Sequence, residues 1–239
     1  PTQDIYGVKA WTDASMPLAG FKGVWTDLGE SYRMPADMAP LMSNFAQRYL
    51  DGEVLTATSD EAGQLELFGQ QVATRRRWLQ VPHPELGATV GLEVVRLVRD
   101  MNVEPSDIAF LCEEHQVGLE AVTEIKAAGI EVHHMFATGN KAQQLAKAHF
   151  WPDKPGVKGA TIQSFKGWEA PALVVGVGHK QHSTRLAYVA MTRLRARGNG
   201  HPSHLTVVNS NFGIAGFQSI FEKWTVPNIP VWAPPALAN

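Results

Sequence analysis

The residues best suited to chemistry fall in two runs. The first, Thr161-Ile162-Gln163-Ser164-Phe165-Lys166-Gly167-Trp168-Glu169, holds hydroxyls, an amide, an ammonium, a glycine and a carboxylate; the second, Tyr188-Val189-Ala190-Met191-Thr192-Arg193, ends an apolar run on a guanidinium. A planar, permanently charged guanidinium at Arg193 can stabilise the charge that spreads over the oxygens of a phosphoryl group in transfer. Glu169 is suited to accept a hydrogen bond from a ribose hydroxyl, and Gly167 to let the backbone approach a ligand closely. Lys166 suits a phosphate of a nucleotide or of DNA, and Thr161 and Ser164 can add hydroxyl contacts to backbone phosphates. The plainer alternatives are a surface Lys-Gly turn and a solvated arginine; Arg195 and Arg197 are read as solvated helix charges.

These residues need a scaffold that aims them at one polyphosphate. The order of residues predicts a short strand entering the Lys-Gly-x-Glu turn, a second apolar strand over Ala172 to Val177, and a helix that carries the Thr-Arg pair. Upstream, Ala36 to Leu50 has apolar residues at helical spacing with Pro35 at its first turn. Gly91 to Asn102 reads as a helix, Asp107 to Cys112 as a buried strand, Gly118 to Ala128 as a helix closed by Gly129, Ile130 to Met135 as a strand and Asn140 to Phe150 as a short helix. A last strand covers His204 to Val208. Strands alternating with helices of this length predict an α/β, three-layer fold with a mainly parallel sheet. The shorter runs at Glu53 to Ala57, Leu65 to Phe68 and Thr74 to Val81 read as strands or an elaboration on an edge. Within the last of these, Arg75-Arg76-Arg77-Trp78 either lines a DNA path or charges a strand edge against association.

The two chemical runs resemble motifs V and VI of the UvrD/Rep-type helicases of superfamily 1. Ser31-Tyr32-Arg33 before the helix at Ala36 resembles motif IV, and the opening Pro1-Thr2-Gln3-Asp4-Ile5-Tyr6-Gly7 resembles the tail of motif III without its leading Gly-Asp. The matches stand in the family's order. The resemblance implies a RecA-like P-loop NTPase-type fold, here the second motor domain, working with ATP and Mg2+ on single-stranded and duplex DNA. It implies that Arg33 adds a second positive charge beside the phosphates, that Tyr32 stacks on adenine, that Gln3 senses the γ-phosphate and that Tyr6 stacks on a DNA base. The bottom-up alternative for Tyr32 and Arg33 is core packing and a helix-entry charge. Where the family usually has histidine this chain has Gln163, which can still donate to a phosphate but carries no charge.

Composition sets the outer bounds. At 239 residues, 44% hydrophobic and 18% charged, the chain is of ordinary globular make-up, long enough for one large or two small domains. A net charge of −2 argues against a charge-driven nucleic-acid coat protein but not against a local groove with aromatic faces, for which seven tryptophans and ten phenylalanines leave room. The lone cysteine, Cys112, sits in an apolar run and reads as a buried small hydrophobe. No apolar run is long enough for a membrane span, so no membrane partner is expected and a cytoplasmic location follows by default. The histidines lack ligand spacing, so no metal site is expected in the chain itself.

Two pieces of a nucleotide motor are absent from these residues: a Gly-x-x-x-x-Gly-Lys-Ser/Thr loop and an Asp-Glu pair ending an apolar strand. By the resemblance they belong to a first RecA-like domain, which would also hold Mg2+, and the chain's start within a motif and without methionine reads as a fragment. The expected organisation is a connector over 1–27, a second RecA-like domain over 28–210 with a minimal insertion near 136–158, and a C-terminal extension over 211–239. The function so implied is the C-terminal motor domain of an ATP-dependent DNA helicase of 3′ to 5′ polarity, inactive by itself. A catalytically inactive RecA-like module that binds DNA or protein is the alternative. A RecD-like helicase of opposite polarity is disfavoured by the Lys166-Gly167-x-Glu169 form.

Overall fold

The computed structural model describes residues 34–50, 72–148, 150, 154–198 and 200–223. Gln3, Tyr6, Tyr32 and Arg33, the connector 1–27, the runs at Glu53 to Ala57 and Leu65 to Phe68, and the tail from Trp224 lie outside the described residues.

Six strands form one parallel sheet. Their chain order is β1 (Arg75–Gln80), β2 (Ile108–Cys112), β3 (Val132–His134), β4 (Val157–Thr161), β5 (Ala172–Val177) and β6 (His204–Asn209), and their spatial order is β1-β6-β5-β2-β4-β3. Residues of β2, β4, β5 and β6 are buried throughout, the pattern of strands covered on both faces. The expected α/β, three-layer architecture with a parallel sheet is therefore present.

Strand alternation sends side chains into two cores. On one face Ile108, Phe110 and Cys112 meet α2 (Leu86–Arg99) and α3 (His115–Ala127). On the other, Ala109 and Leu111 join α1 (Ala39–Tyr49), α5 (Ser183–Met191) and α6 (Gln218–Lys223). The short α4 (Asn140–Ala148) lies between β3 and β4 in the chain. Burial pushes the Cys112 thiol well above its ordinary pKa, which makes it inert.

Several boundaries differ from the sequence expectation, each for a local reason. Helix α1 begins at Ala39 with Pro40, not Pro35, in its first turn; Pro35 opens a preceding turn closed by Met38 N donating to Pro35 O at 2.9 Å. Helix α2 starts at Leu86, because its glycines serve packing and do not punctuate: a Cβ on Gly91 would lie 2.6 Å from Ala121 O on α3. Beyond residue 210, Ile214, Phe217 and Phe221 are buried in the core.

The Arg-rich run is an edge strand, and its chemistry is structural. Trp78 is 1% exposed and packs edge-on to Phe217 and Phe221, with ring centroids at 6.1 and 5.3 Å. Arg76 is buried against Asp37, which also takes both hydrogen bonds from Thr74, and Arg77 pairs with Glu93 at 3.3 Å. A tryptophan so enclosed cannot stack on bases, so the DNA-path reading of this run is withdrawn in favour of the strand edge.

One buried group makes stability depend on pH. His204 is 4% exposed at the start of β6, and burial first, then the charges of Arg75, Arg197 and Arg96, push its pKa down to about 4. An unfolded histidine titrates near pH 6.5. The neutral ring's contribution is thus full above about pH 6.5 and is lost as pH falls toward 4, up to about 3 kcal/mol in all. Urea unfolding of wild type and His204→Asn at pH 7.5 and 5 should show a smaller acid loss in the variant; equal losses would contradict this assignment.

Candidate functional site

All strands run the same way, so their carboxyl ends share one rim and their amino ends the other. The run 161–169 crosses between them. Thr161 ends β4 beside Cys112 at the end of β2, whereas Ala172 opens β5 beside Ile108 at the start of β2. The chain therefore descends the height of the sheet between these residues, anchored by the buried Ile162 and Phe165 and by Trp168, which stacks on Phe150 at 5.0 Å.

At the carboxyl rim, Thr161 is 6% exposed and its hydroxyl works inside the turn, donating to Ser164 Oγ at 2.9 Å and accepting from Ser164 N at 3.3 Å. It shapes the turn. Ser164 and Gln163 are half-buried beside it. Further down, between Phe165 and Trp168 of the amino-rim cleft, Lys166 is exposed. Gly167 follows at φ 93°, a left-handed conformation that disfavours any side chain, with nothing within 4 Å of the position a Cβ would take. The turn thus has an open backbone face.

At the amino rim the two runs meet. Ala170 and Leu194 form a parallel bridge in which Ala170 N donates to Arg193 O at 3.2 Å and Arg195 N donates to Ala170 O at 3.0 Å. Glu169 and Arg193 are each one residue from this bridge, so the fold makes backbone neighbours of two residues from runs far apart in sequence. Arg193 does not sit on the helix as expected: α5 ends at Met191, Thr192 is its C-cap, and Arg193 follows. Its half-buried side chain folds back on the helix end, with Nε donating to Val189 O and Nη2 to Thr192 Oγ1, both at 3.3 Å. A cation resting on a helix C-terminus is electrostatically favoured.

Glu169 also lines a cleft of about 260 Å³ with Asp107, Lys158, Phe165, Trp168 and Arg195. Lys158 is buried there and donates to Gly156 O at 2.7 Å; Arg197 closes on Asp107 at 2.9 Å. Arg195 is exposed, the solvated charge of the sequence reading, at the mouth of this cleft. Arg197 is a structural ion pair. The open backbone at Gly167, the Glu169 carboxylate and the Arg193 guanidinium suit the ribose and phosphates of a nucleotide lying along this edge. Among the described residues no group of three or more His, Cys, Asp or Glu side chains gathers at a metal position.

No protein-family model matches the chain, and no curated protein matches it. Among solved structures, it is similar to the C-terminal domain of a possible DNA helicase from Lactobacillus plantarum WCFS1, at 15% identity over 76% of this chain and 89% of that one, with a TM-score of 0.43. It is similar to the RNA helicase Prp28 from Chaetomium thermophilum bound to ADP, at 10% identity over 59% of this chain and 34% of that one, TM-score 0.40. A third likeness is to the C-terminal part of the Fun30 ATPase domain, at 13% identity, 59% and 46% coverage and a TM-score of 0.36. These likenesses are distant by every measure. Function is therefore argued from this chain's own residues. No helix among the described residues is long and apolar enough to cross a membrane.

Proposed function

We propose that this chain is the second, RecA-like motor domain of an ATP-dependent DNA helicase of the UvrD/Rep kind, moving 3′ to 5′ on single-stranded DNA. The observation that supports the reading is the Ala170–Leu194 bridge, which joins the backbones of the two runs one residue from Glu169 and from Arg193. ATP, when bound, supplies the phosphoryl transfer that drives the cycle. Glu169 holds the ribose, Gly167 admits close backbone approach, and Arg193 leaves its two long hydrogen bonds on the end of α5 for the γ-phosphoryl oxygens. Arg33 and Tyr32 would join it at phosphate and adenine, and Gln3 at the γ-phosphate. A first motor domain completes the cleft and holds Mg2+. Gln163 and Ser164 at the carboxyl rim would face the DNA, with Lys166 on the turn below them and Tyr6 as a stacking ring; closure and opening of the cleft would then ratchet the strand.

The test is ATP hydrolysis by the complete natural polypeptide, with and without single-stranded DNA. Hydrolysis stimulated by the strand is the expected result. A purified, folded protein that neither turns over ATP nor binds single-stranded DNA would end the motor reading and leave an inactive module.

A further inference from the structure

We infer that Glu113 is a positioning residue for Arg193: it anchors the start of α5 on the end of β2 and thereby sets where the guanidinium stands at the other end of that helix. The inference rests on the motor reading and adds a residue that none of the helicase-like runs contains.

Glu113 follows β2 at the carboxyl rim. β2 and β5 are neighbours there, and the chain leaves them in opposite directions, from β2 to β3 on one side and from β5 to β6 on the other. A crevice opens between such strand ends. The Glu113 side chain lies across it. Its Oε1 accepts from Gly178 N, just past β5, at 3.0 Å, and its Oε2 accepts from the hydroxyl of Ser183, the first residue of α5, at 2.6 Å. Ser183 is fully buried, and a Cβ on Gly178 would lie 2.9 Å from Glu113 Oε2, so glycine is what lets the carboxylate reach the backbone. Burial pushes the Glu113 carboxyl above the usual carboxylate range, while the hydrogen bonds from Ser183 and Gly178 pull the other way. Lys180 on the same loop is paired with Glu114 at 3.1 Å, which leaves Glu113 to the glycine and the serine.

What the carboxylate holds is one end of a rod. The N-cap of α5, His182, makes no side-chain capping bond, and the first turn of the helix carries no acidic residue. The negative charge that favours a helix N-terminus therefore comes from β2, through Glu113. At the opposite end Arg193 lies on Val189 O and Thr192 Oγ1. Carboxylate and guanidinium thus stand at the two ends of one nine-residue helix, roughly 14 Å long. Leu186 to Met191 are buried between them, so the helix moves as a unit and a shift at Ser183 becomes a shift at Arg193. A displacement of about 1 Å in a group that meets the reacting phosphoryl can cost on the order of 100-fold in rate.

The experiment measures ATP turnover by the complete natural polypeptide with saturating single-stranded DNA, as kcat and KM. Glu113→Ala should lower kcat about tenfold and leave KM for ATP within about twofold, because a displaced Arg193 is missed in the transition state. Gly178→Ala should do the same with little harm to the fold, since the three nearest neighbours of the added methyl are side-chain atoms of Glu113 and Glu114 and the carboxylate must give way. Glu113→Gln, which keeps an acceptor for Gly178 N, should fall between. Matched thermal melts check the fold. The deciding readout is coupling: in an Arg193→Ala background, followed by single-turnover hydrolysis of radiolabelled ATP, Glu113→Ala should cost no more than about twofold further. An equal cost in both backgrounds, or no cost of either substitution in the wild-type background, would overturn the positioning role and leave the motor reading standing. Should wild type hydrolyse no ATP, the motor reading falls and this role falls with it.

Discussion

Replacing Arg193 by alanine in the complete protein should lower ATP turnover about 10³-fold or more while leaving nucleotide affinity within roughly tenfold of wild type. The asymmetry follows from where charge develops: a guanidinium that engages the γ-phosphoryl oxygens is needed most in the transition state, and ground-state binding is shared with other groups. Arg193 is half-buried and bonds the end of α5 twice at 3.3 Å, so matched thermal melts accompany the kinetics and separate a loss of folding from a loss of turnover. Lysine should not rescue, because an ammonium lacks the planar fork. The measurement is kcat beside an equilibrium nucleotide titration, and wild-type-like turnover would refute the assignment.

Trp78→Ala should be the most damaging substitution for the fold, costing about 3–5 kcal/mol. The indole is fully enclosed between the edge strand and the C-terminal helix, against Phe217 and Phe221. Removing it opens a cavity where β1 and α6 depend on each other, and α6 also supplies the Glu222 carboxylate that accepts from Trp78 N at 3.4 Å. Trp78→Phe is the informative companion. The buried indole Nε1 has no hydrogen-bond partner, so phenylalanine removes an unsatisfied donor along with some volume and should cost under about 2 kcal/mol. Equal unfolding midpoints for Trp78→Ala and wild type would mean that the indole is not in the core.

What could be read from sequence divides along physical lines. Buried parallel strands announce themselves as unbroken apolar runs, and Ala172–Val177 has the bounds expected of it. Amphipathic spacing located α1 and α3. Glycine misled at the start of α2 because close helix packing and chain punctuation use the same residue, and only the neighbour at 2.6 Å distinguishes them. Trp78 beside three arginines resembles a nucleic-acid surface until burial is known. Nothing in its local pattern separates Arg195 from Arg197, although the fold puts one at the mouth of a cleft and the other on Asp107. The runs of Glu169 and Arg193 were legible as two motifs, but the backbone bridge that joins them is tertiary.

The descending run from Thr161 to Ala170 has a mechanical meaning. It drops through the height of β2 from Cys112 to Ile108, roughly 13 Å, held near its top by the buried Ile162 and near its foot by Phe165 and by Trp168 packed against the core. Its upper end carries the residues proposed for DNA and its lower end those proposed for nucleotide. On the motor reading proposed above, this packing at both ends is what would tie them together: loosening it would leave each end able to hold its ligand while hydrolysis no longer advanced the strand.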